Sequence, residues 1–344
     1  MDSRFTDHIP PISVYEAESF VAQHFGIQST AHPLGSERDQ NFRIKARDGA
    51  EYLLKITHPG ETLDSTAFQT ACLRHIVAVD ASLPVPRVLD DTTGDPHVRT
   101  SWSGAVRTGR LLTFLAGDPL HLGKRDAAQR FKIGEMLAKL DAALATFSGP
   151  FPKLDIIWDM GNETSIRPLI GSIPDANQRK MVEVIVDAFQ SRVLPGRSGL
   201  AVQPIHNDFN PHNLLVSPQD HQQITGIIDF GDIAVAPRIY DLAVAASYQI
   251  LEGAHPLETA SQTVAGFHSV TPLVETEVAL LHDLISMRLA LAVSITGWRA
   301  EMHPENRDYI LRNAPGAWRA MHQIRRVSAA EAEDYFHAAN RRVG

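Results

Sequence analysis

The chain has 344 residues and a formal net charge of −8, from 32 Lys and Arg against 40 Asp and Glu, so neither a nucleic acid nor an anionic membrane surface is expected as a partner. Apolar residues make up 44% and charged residues 21%, the mix of a globular protein long enough for one large or two ordinary domains. Cys72 is the only cysteine, which excludes an intrachain disulfide and a cysteine zinc site, and a reducing, cytoplasmic setting is expected.

The opening residues Met1-Asp2-Ser3-Arg4-Phe5-Thr6-Asp7 lack the apolar core of a signal peptide. Ser13-Val14-Tyr15-Glu16 has the form of a capping box, and Gly26 closes the helix it opens. Val14, Phe20, Val21 and Phe25 form the expected buried face. The polar stretch 35–41 leads into a strand ending at Arg47, then the Asp48-Gly49 turn, then a return strand over 50–57. Lys55 alternates with apolar neighbours in Tyr52-Leu53-Leu54-Lys55-Ile56. It is therefore expected to point with Leu53 toward an interior cleft. A lysine there needs an anionic partner, which a triphosphate supplies, although an edge strand can also carry a surface lysine.

Residues 64–79 have helical spacing, with Phe68, Cys72, Leu73, Ile76 and Val77 on one side. Short strands are expected at 84–89, 97–103 and 106–115, the last running into 112–116. In the second part of the chain, 126–147 and 175–194 are predicted helices, Asp126 capping the first. The segment 150–173, with Trp158-Asp159-Met160, has no clear element. A helix opens near Ile239. Further helices are expected at 275–298, 305–324 and after the capping box Ser328-Ala329-Ala330-Glu331. The long apolar stretches carry Pro237, Arg238 and Asp241 or, at 289–298, are too short to span a bilayer. Arg288 sits among apolar residues in 284–292, so it needs an anion, either an acid of the chain or a substrate carboxylate.

The most informative stretch is 205–232. It reads Ile205-His206-Asn207-Asp208-Phe209-Asn210-Pro211-His212-Asn213, then an apolar run, a polar turn, and Ile224-Thr225-Gly226-Ile227-Ile228-Asp229-Phe230-Gly231-Asp232. An Asp two after a His, an Asn five after that Asp and an Asp-Phe-Gly match the order of a kinase catalytic loop and magnesium loop. The chemistry asks for a carboxylate that orients an acceptor hydroxyl and takes its proton, for which Asp208 stands. It also asks for hard oxygen ligands, for which Asn213 and Asp229 stand. The flanking runs read as a hairpin, which brings Asn213 and Asp229 to one end. Two other readings compete: loop residues that bond their own backbone, or a metal held by His206, Asp208 and His212. Asp241, at the start of an apolar helix, could accept amides of this loop or merely cap its own helix.

With these motifs the sequence resembles the aminoglycoside phosphotransferase and choline kinase-like superfamily over nearly its whole length. Ser36-Glu37-Arg38-Asp39-Gln40-Asn41-Phe42, Leu54-Lys55-Ile56, Gln69 and Arg288-Leu289-Ala290 are similar to its hydroxylysine kinase branch. The resemblance implies an α+β, bilobal protein-kinase-like fold. Residues 1–115 would form an antiparallel-sheet nucleotide lobe, and 116–344 a helical lobe with the catalytic loop and substrate site. It implies transfer of the terminal phosphate of ATP or GTP to a hydroxyl of a small amine or amino acid, with Mg2+. Asp208 would be the base, supported by His206, and Asn213 and Asp229 would hold the metal. Lys55 would sit on the phosphates, with Ser36, Arg38 and Gln69 nearby and Leu112 and Phe114 in the hinge that meets the purine. The loop 35–41 has one glycine where G-x-G-x-x-G has three, and Gln69 stands where a helix Glu would pair with Lys55. Glu61 or Asp64 is the alternative partner, and Arg288 the one candidate for a carboxylate clamp. Homoserine, choline-like alcohols and aminoglycosides are further acceptors, and a nucleotide-binding scaffold without turnover is the reading from another class.

Overall fold

The computed structural model describes residues 10–36, 38–102, 104–154, 156–251 and 254–342. The readings above for Met1-Asp2-Ser3-Arg4-Phe5-Thr6-Asp7, Glu37 and position 103 lie outside them. The chain divides into two compact units, one of Met1–Ala116 with Ser148–Leu154 and one of Gly117–Phe147 with Asp155–Gly344.

In the first unit, α1 (Val14–Phe25) begins at a complete capping box: Ser13 Oγ accepts the Glu16 N–H at 3.2 Å, and the Glu16 carboxylate accepts the Ser13 N–H at 2.8 Å. Gly26, at φ 68, ends the helix in the left-handed region that a residue without Cβ enters freely. Then follow β1 (Ser29–Leu34), β2 (Gln40–Ala46), β3 (Glu51–Ile56), α2 (Leu63–Val79), β4 (Val88–Leu89), β5 (Val98–Trp102) and β6 (Ala105–Thr113). The six strands form one antiparallel sheet in the order β1-β2-β3-β6-β4, with β5 also on β6. The register aligns Phe42, Leu54 and Leu111 across three strands, and all three are buried with Phe20 and Val21 of α1. Because side chains alternate along a strand, the opposite face carries Leu53 beside Leu112 and Lys55 beside Arg110. Strand β1 escapes sequence reading because Ser29–Leu34 shows no alternation; its ladder with β2, at the sheet edge where Pro33 is tolerated, makes it a strand.

The second unit is mostly helical. Its elements are β7 (Asp118–Pro119), α3 (Ala127–Leu144), α4 (Ala176–Ala188), β8 (Val202–Ile205), β9 (Leu214–Val216), β10 (Ile224–Ile227), β11 (Ala234–Pro237), α5 (Arg238–Ser247), α6 (Glu258–Val270), α7 (Glu275–Met302), α8 (Arg307–Ile310), α9 (Ala314–Ile324) and α10 (Ala329–Asn340). Helices α3 and α6 meet closely enough that a Cβ on Gly134 would overlap the Thr263 carbonyl oxygen, and one on Gly266 the Phe131 carbonyl oxygen. The predicted hairpin is present as β9 and β10.

The structure departs from three of the expectations. The helix expected over 175–194 stops at Ala188 and continues as wider and tighter turns around Pro195, which lacks the N–H an α-helix needs. The one expected over 305–324 is broken into α8 and α9, with Pro315 in the first turn of α9. The apolar stretch judged too short for a bilayer belongs to the 28-residue α7, which is long and apolar enough to cross one. Most of α7 is instead buried within the protein, and it carries the buried charges Glu277, Asp283, Arg288 and Arg299.

Candidate active site

In the second unit, the loop after β8 is held from below by α5. Asp241, fully buried in the first turns of α5, accepts the His206 N–H at 2.7 Å on Oδ2 and the Asn207 N–H at 2.9 Å on Oδ1. The capping alternative is set aside, since Pro237 occupies that position. Asp141, on α3, lies against Asp241; burial first, then the charge of Asp241, raises its carboxyl well above the usual range. Asp141 therefore carries the proton of the pair, and the Asp241 oxygens are left to accept the loop amides.

Asn207, at φ 64, turns the chain so that Asp208 follows. The His206 ring is buried, edge-on to Phe209 at 5.8 Å and tilted against Phe230 at 4.7 Å. Its Nδ1 accepts the Asp208 N–H at 3.3 Å and its Nε2 lies 3.1 Å from the Ile228 carbonyl oxygen. Those partners place the ring proton on Nε2, and both nitrogens are engaged. His212 is stacked on His121 with ring centroids 4.0 Å apart. Burial, then the positive neighbours His121, Arg312 and Arg125, push its pKa down to about 4. With both His206 nitrogens engaged, a metal held by His206, Asp208 and His212 is not what the loop builds.

Asp208 is gripped at both carboxylate oxygens. Arg288 Nη2 donates to Oδ1 at 2.8 Å, and Asn213 Nδ2 donates to Oδ2 at 2.8 Å. Arg288 is 2% exposed and its guanidinium lies 4.9 Å from the Trp158 ring centre. The anion that a buried arginine requires is therefore the motif aspartate itself. Burial drives the Asp208 pKa up to about 7; Arg288 lowers it, and the like charges of Asp232 and Asp229 raise it.

Asn213 turns its amide nitrogen to Asp208, while its Oδ1 takes part in no hydrogen bond among the described residues. The Ile228 N–H donates to the Asn213 carbonyl at 2.9 Å, so the two ends of the hairpin abut. Asp229 is exposed and sits at φ 60, ψ 70, a strained conformation for an aspartate that recurs at functional sites. An uncommitted amide oxygen beside carboxylates that repel one another suits a hard divalent cation.

In the first unit, Lys55 Nζ forms an ion pair with Asp39 Oδ2 at 3.1 Å. Asp39 is also fixed by the His58 N–H, which donates to Oδ1 at 3.2 Å. Burial alone would raise the Asp39 carboxyl, but Lys55, Arg38 and Arg110 outweigh it and hold it below the usual range. Gln69 accepts from Arg110 Nη2 at 2.7 Å. Ser36 is exposed in the loop after β1. Leu112 is buried within β6, and Phe114 faces the Arg43 guanidinium, whose carbon is 4.5 Å from its ring centre. In the expected hinge, the Thr113 and Phe114 N–H groups already donate to the carbonyls of Arg87 and Glu51.

Asp39, Asp141, Trp158 and Asp232 were not singled out from the sequence. Asp39 could have been found by counting the hairpin outward from Asp48-Gly49, which pairs Asn41 with Lys55 and leaves Asp39 two residues beyond. Asp141, on α3, has no sequence signal that connects it to a loop beginning at His206.

Residues 30–273 match the model of a phosphotransferase enzyme family. The chain is 28% identical over 340 residues to a hydroxylysine kinase of Mus musculus, covering 92% of this chain and 90% of the relative. In structure it is similar to a microcompartment-associated aminopropanol kinase (TM-score 0.69, 17% identity, 96% of this chain and 100% of that one). It is also similar to an amicoumacin kinase solved with AMP-PNP and Ca2+ (TM-score 0.68, 14% identity, 87% and 93%). The fold is that of these small-molecule kinases, which are protein-kinase-like.

Proposed function

We propose, from the premise that the chain belongs to the phosphotransferase enzyme family, that it moves the terminal phosphate of ATP or GTP onto a hydroxyl of a small amine or amino acid, with hydroxylysine the first acceptor to test. The enzyme is a phosphotransferase acting on a hydroxyl group. The observation that carries the residue assignment is the double grip on Asp208 by Arg288 and Asn213. A carboxylate fixed at both oxygens presents its remaining lone pairs in one direction, and with a pKa of about 7 it is matched to taking a proton near neutral pH.

In this reading Asp208 orients the acceptor hydroxyl and accepts its proton as the oxygen attacks the terminal phosphorus, the leaving group being the nucleoside diphosphate. His206 keeps the loop in shape through its two ring nitrogens. Asn213 Oδ1 and Asp229 would hold Mg2+, with Asp232 close by; the ion would neutralise charge on the phosphates. Lys55 would contact the phosphates, and Ser36 and Arg38 lie in the loop that would cover them. Gln69 reaches this machinery through Arg110. With the amides of Thr113 and Phe114 engaged, the purine edge would be met by the backbone at 115–116, Leu112 and Phe114 shaping the wall. Arg288 stands behind Asp208 as its orienting cation and not as a carboxylate clamp, because its contact is the base itself. Residues 1–115 and 116–344 remain the proposed nucleotide and acceptor domains.

Nucleotide consumption with ATP and with GTP, plus magnesium, tests this across hydroxylysine, homoserine, choline and aminoglycosides. Hydroxylysine turnover that Asp208→Ala lowers by about 100-fold or more is the expected outcome. Turnover only with another acceptor moves the substrate and keeps the kinase. Nucleotide binding with no turnover across the panel favours a scaffold that kept the fold.

A further inference from the structure

A lysine that must meet phosphate from a β-strand needs an anion to hold its long side chain in place. The turn of α2 where such an acid would sit carries Gln69, and Gln69 serves another cation. Arg110, 2% exposed, donates through Nη2 to Gln69 Oε1 at 2.7 Å, and through Nη1 to Thr70 Oγ1 at 3.2 Å and the Thr66 carbonyl at 3.3 Å. Arg110 stands directly across from Lys55 in the β3–β6 register, and paired residues of an antiparallel ladder share a face. Three groups of α2 are thus engaged by a cation beside Lys55.

An acid that meets Lys55 comes from the other direction. Asp39 ends the loop between β1 and β2, reaches Lys55 Nζ at 3.1 Å, and is itself fixed by the His58 N–H at 3.2 Å. We infer that Asp39 is the positioning residue of Lys55, so that the loop expected to cover the nucleotide, and not helix α2, sets the phosphate-binding lysine. This inference rests on the reading that Lys55 meets the phosphates of ATP or GTP. Asp39 does not cancel the site's positive charge. Its one negative charge is shared by Lys55, Arg38 and Arg110, so the cluster keeps an excess of positive charge for an anionic ligand.

The test is a double-mutant cycle on the full chain, reading MgATP and MgGTP affinity by titration calorimetry for wild type, Asp39→Asn, Lys55→Met and the double variant. A thermal melt of each checks folding. Asp39→Asn is expected to weaken binding by about 10- to 100-fold. It is expected to add no further loss on the Lys55→Met background, and Asp39→Glu is expected to restore part of the affinity. Additive losses would make Asp39 a structural residue and overturn the inference. So would tighter binding in Asp39→Asn, which would make it a competitor of phosphate for Lys55. Loss in Lys55→Met with Asp39→Asn unaffected overturns this inference and leaves the kinase reading standing. A wild type that binds neither nucleotide, or a Lys55→Met that binds as wild type does, removes the functional premise as well.

Discussion

Asn207 and Asp229 are the two described non-glycine residues with positive φ, at 64° and 60°, and each stands beside a group to which chemistry is assigned. Asn tolerates this region because its side chain is short and unbranched at Cβ. At Asn207 the tolerance is needed: its N–H must reach Asp241 while Asp208 turns the other way. Its buried amide, moreover, has no hydrogen-bond partner among the described residues, which costs stability. Asn207→Val is therefore expected to lose about 2 kcal/mol or more of unfolding free energy, and Asn207→Gly much less, since glycine enters the region freely and removes the orphaned amide. Urea denaturation of the two variants decides it; equal losses would mean that the turn imposes no backbone strain.

At the scale of elements, the carboxyl pair Asp141–Asp241 links α3 and α5 to the loop after β8. Sequence alone left Asp241 between a loop anchor and a helix cap; only the packing of α3 showed that a second acid leans on it. Arg238 and His206 are the other charged or titratable groups acting on the pair. The folded chain keeps a proton on Asp141 that the unfolded chain releases above the ordinary Asp value of 3.8. The folded state then binds more protons than the unfolded one, so stability falls as pH rises above that value, up to the raised folded pKa. Asp141→Asn keeps a neutral polar group of the same shape beside Asp241 but has no carboxyl proton to lose. The stability of wild type relative to this variant is expected to fall with rising pH, by at most about 1.4 kcal/mol per pH unit. Parallel stability curves for the two from pH 5 to 8 would show that Asp141 does not hold the proton.

For the whole molecule, the functional reading makes a thermodynamic demand. A ligand that binds only the folded chain stabilises it by about 2.7 kcal/mol at 100 times its dissociation constant. MgATP or MgGTP is expected to raise the melting temperature by several degrees, and chelation of magnesium to remove most of that gain, since in the proposed reading Asn213 and Asp229 act through the ion. A shift that survives chelation would separate nucleotide binding from these two residues. The extra charge near Asp208 matters at this scale too. The charges of Asp232 and Asp229 raise the Asp208 pKa, so a divalent cation bound among them would relieve a like-charge cost.

What the sequence by itself determined is local and periodic. The capping boxes at Ser13 and Ser328, the Asp48-Gly49 hairpin, the 205–232 motif and the lysine strand could all be read, because turn chemistry and side-chain alternation act over a few residues. The order of the motif and its hairpin also identified the family and its reaction class. Which charge meets which was decided by tertiary structure. Arg288 finds Asp208 across 80 positions, Lys55 finds Asp39, and Gln69 is drawn to Arg110 across 41. A buried cation accepts any anion of suitable geometry, and the chain's periodicity carries no record of which one the tertiary packing will bring into contact.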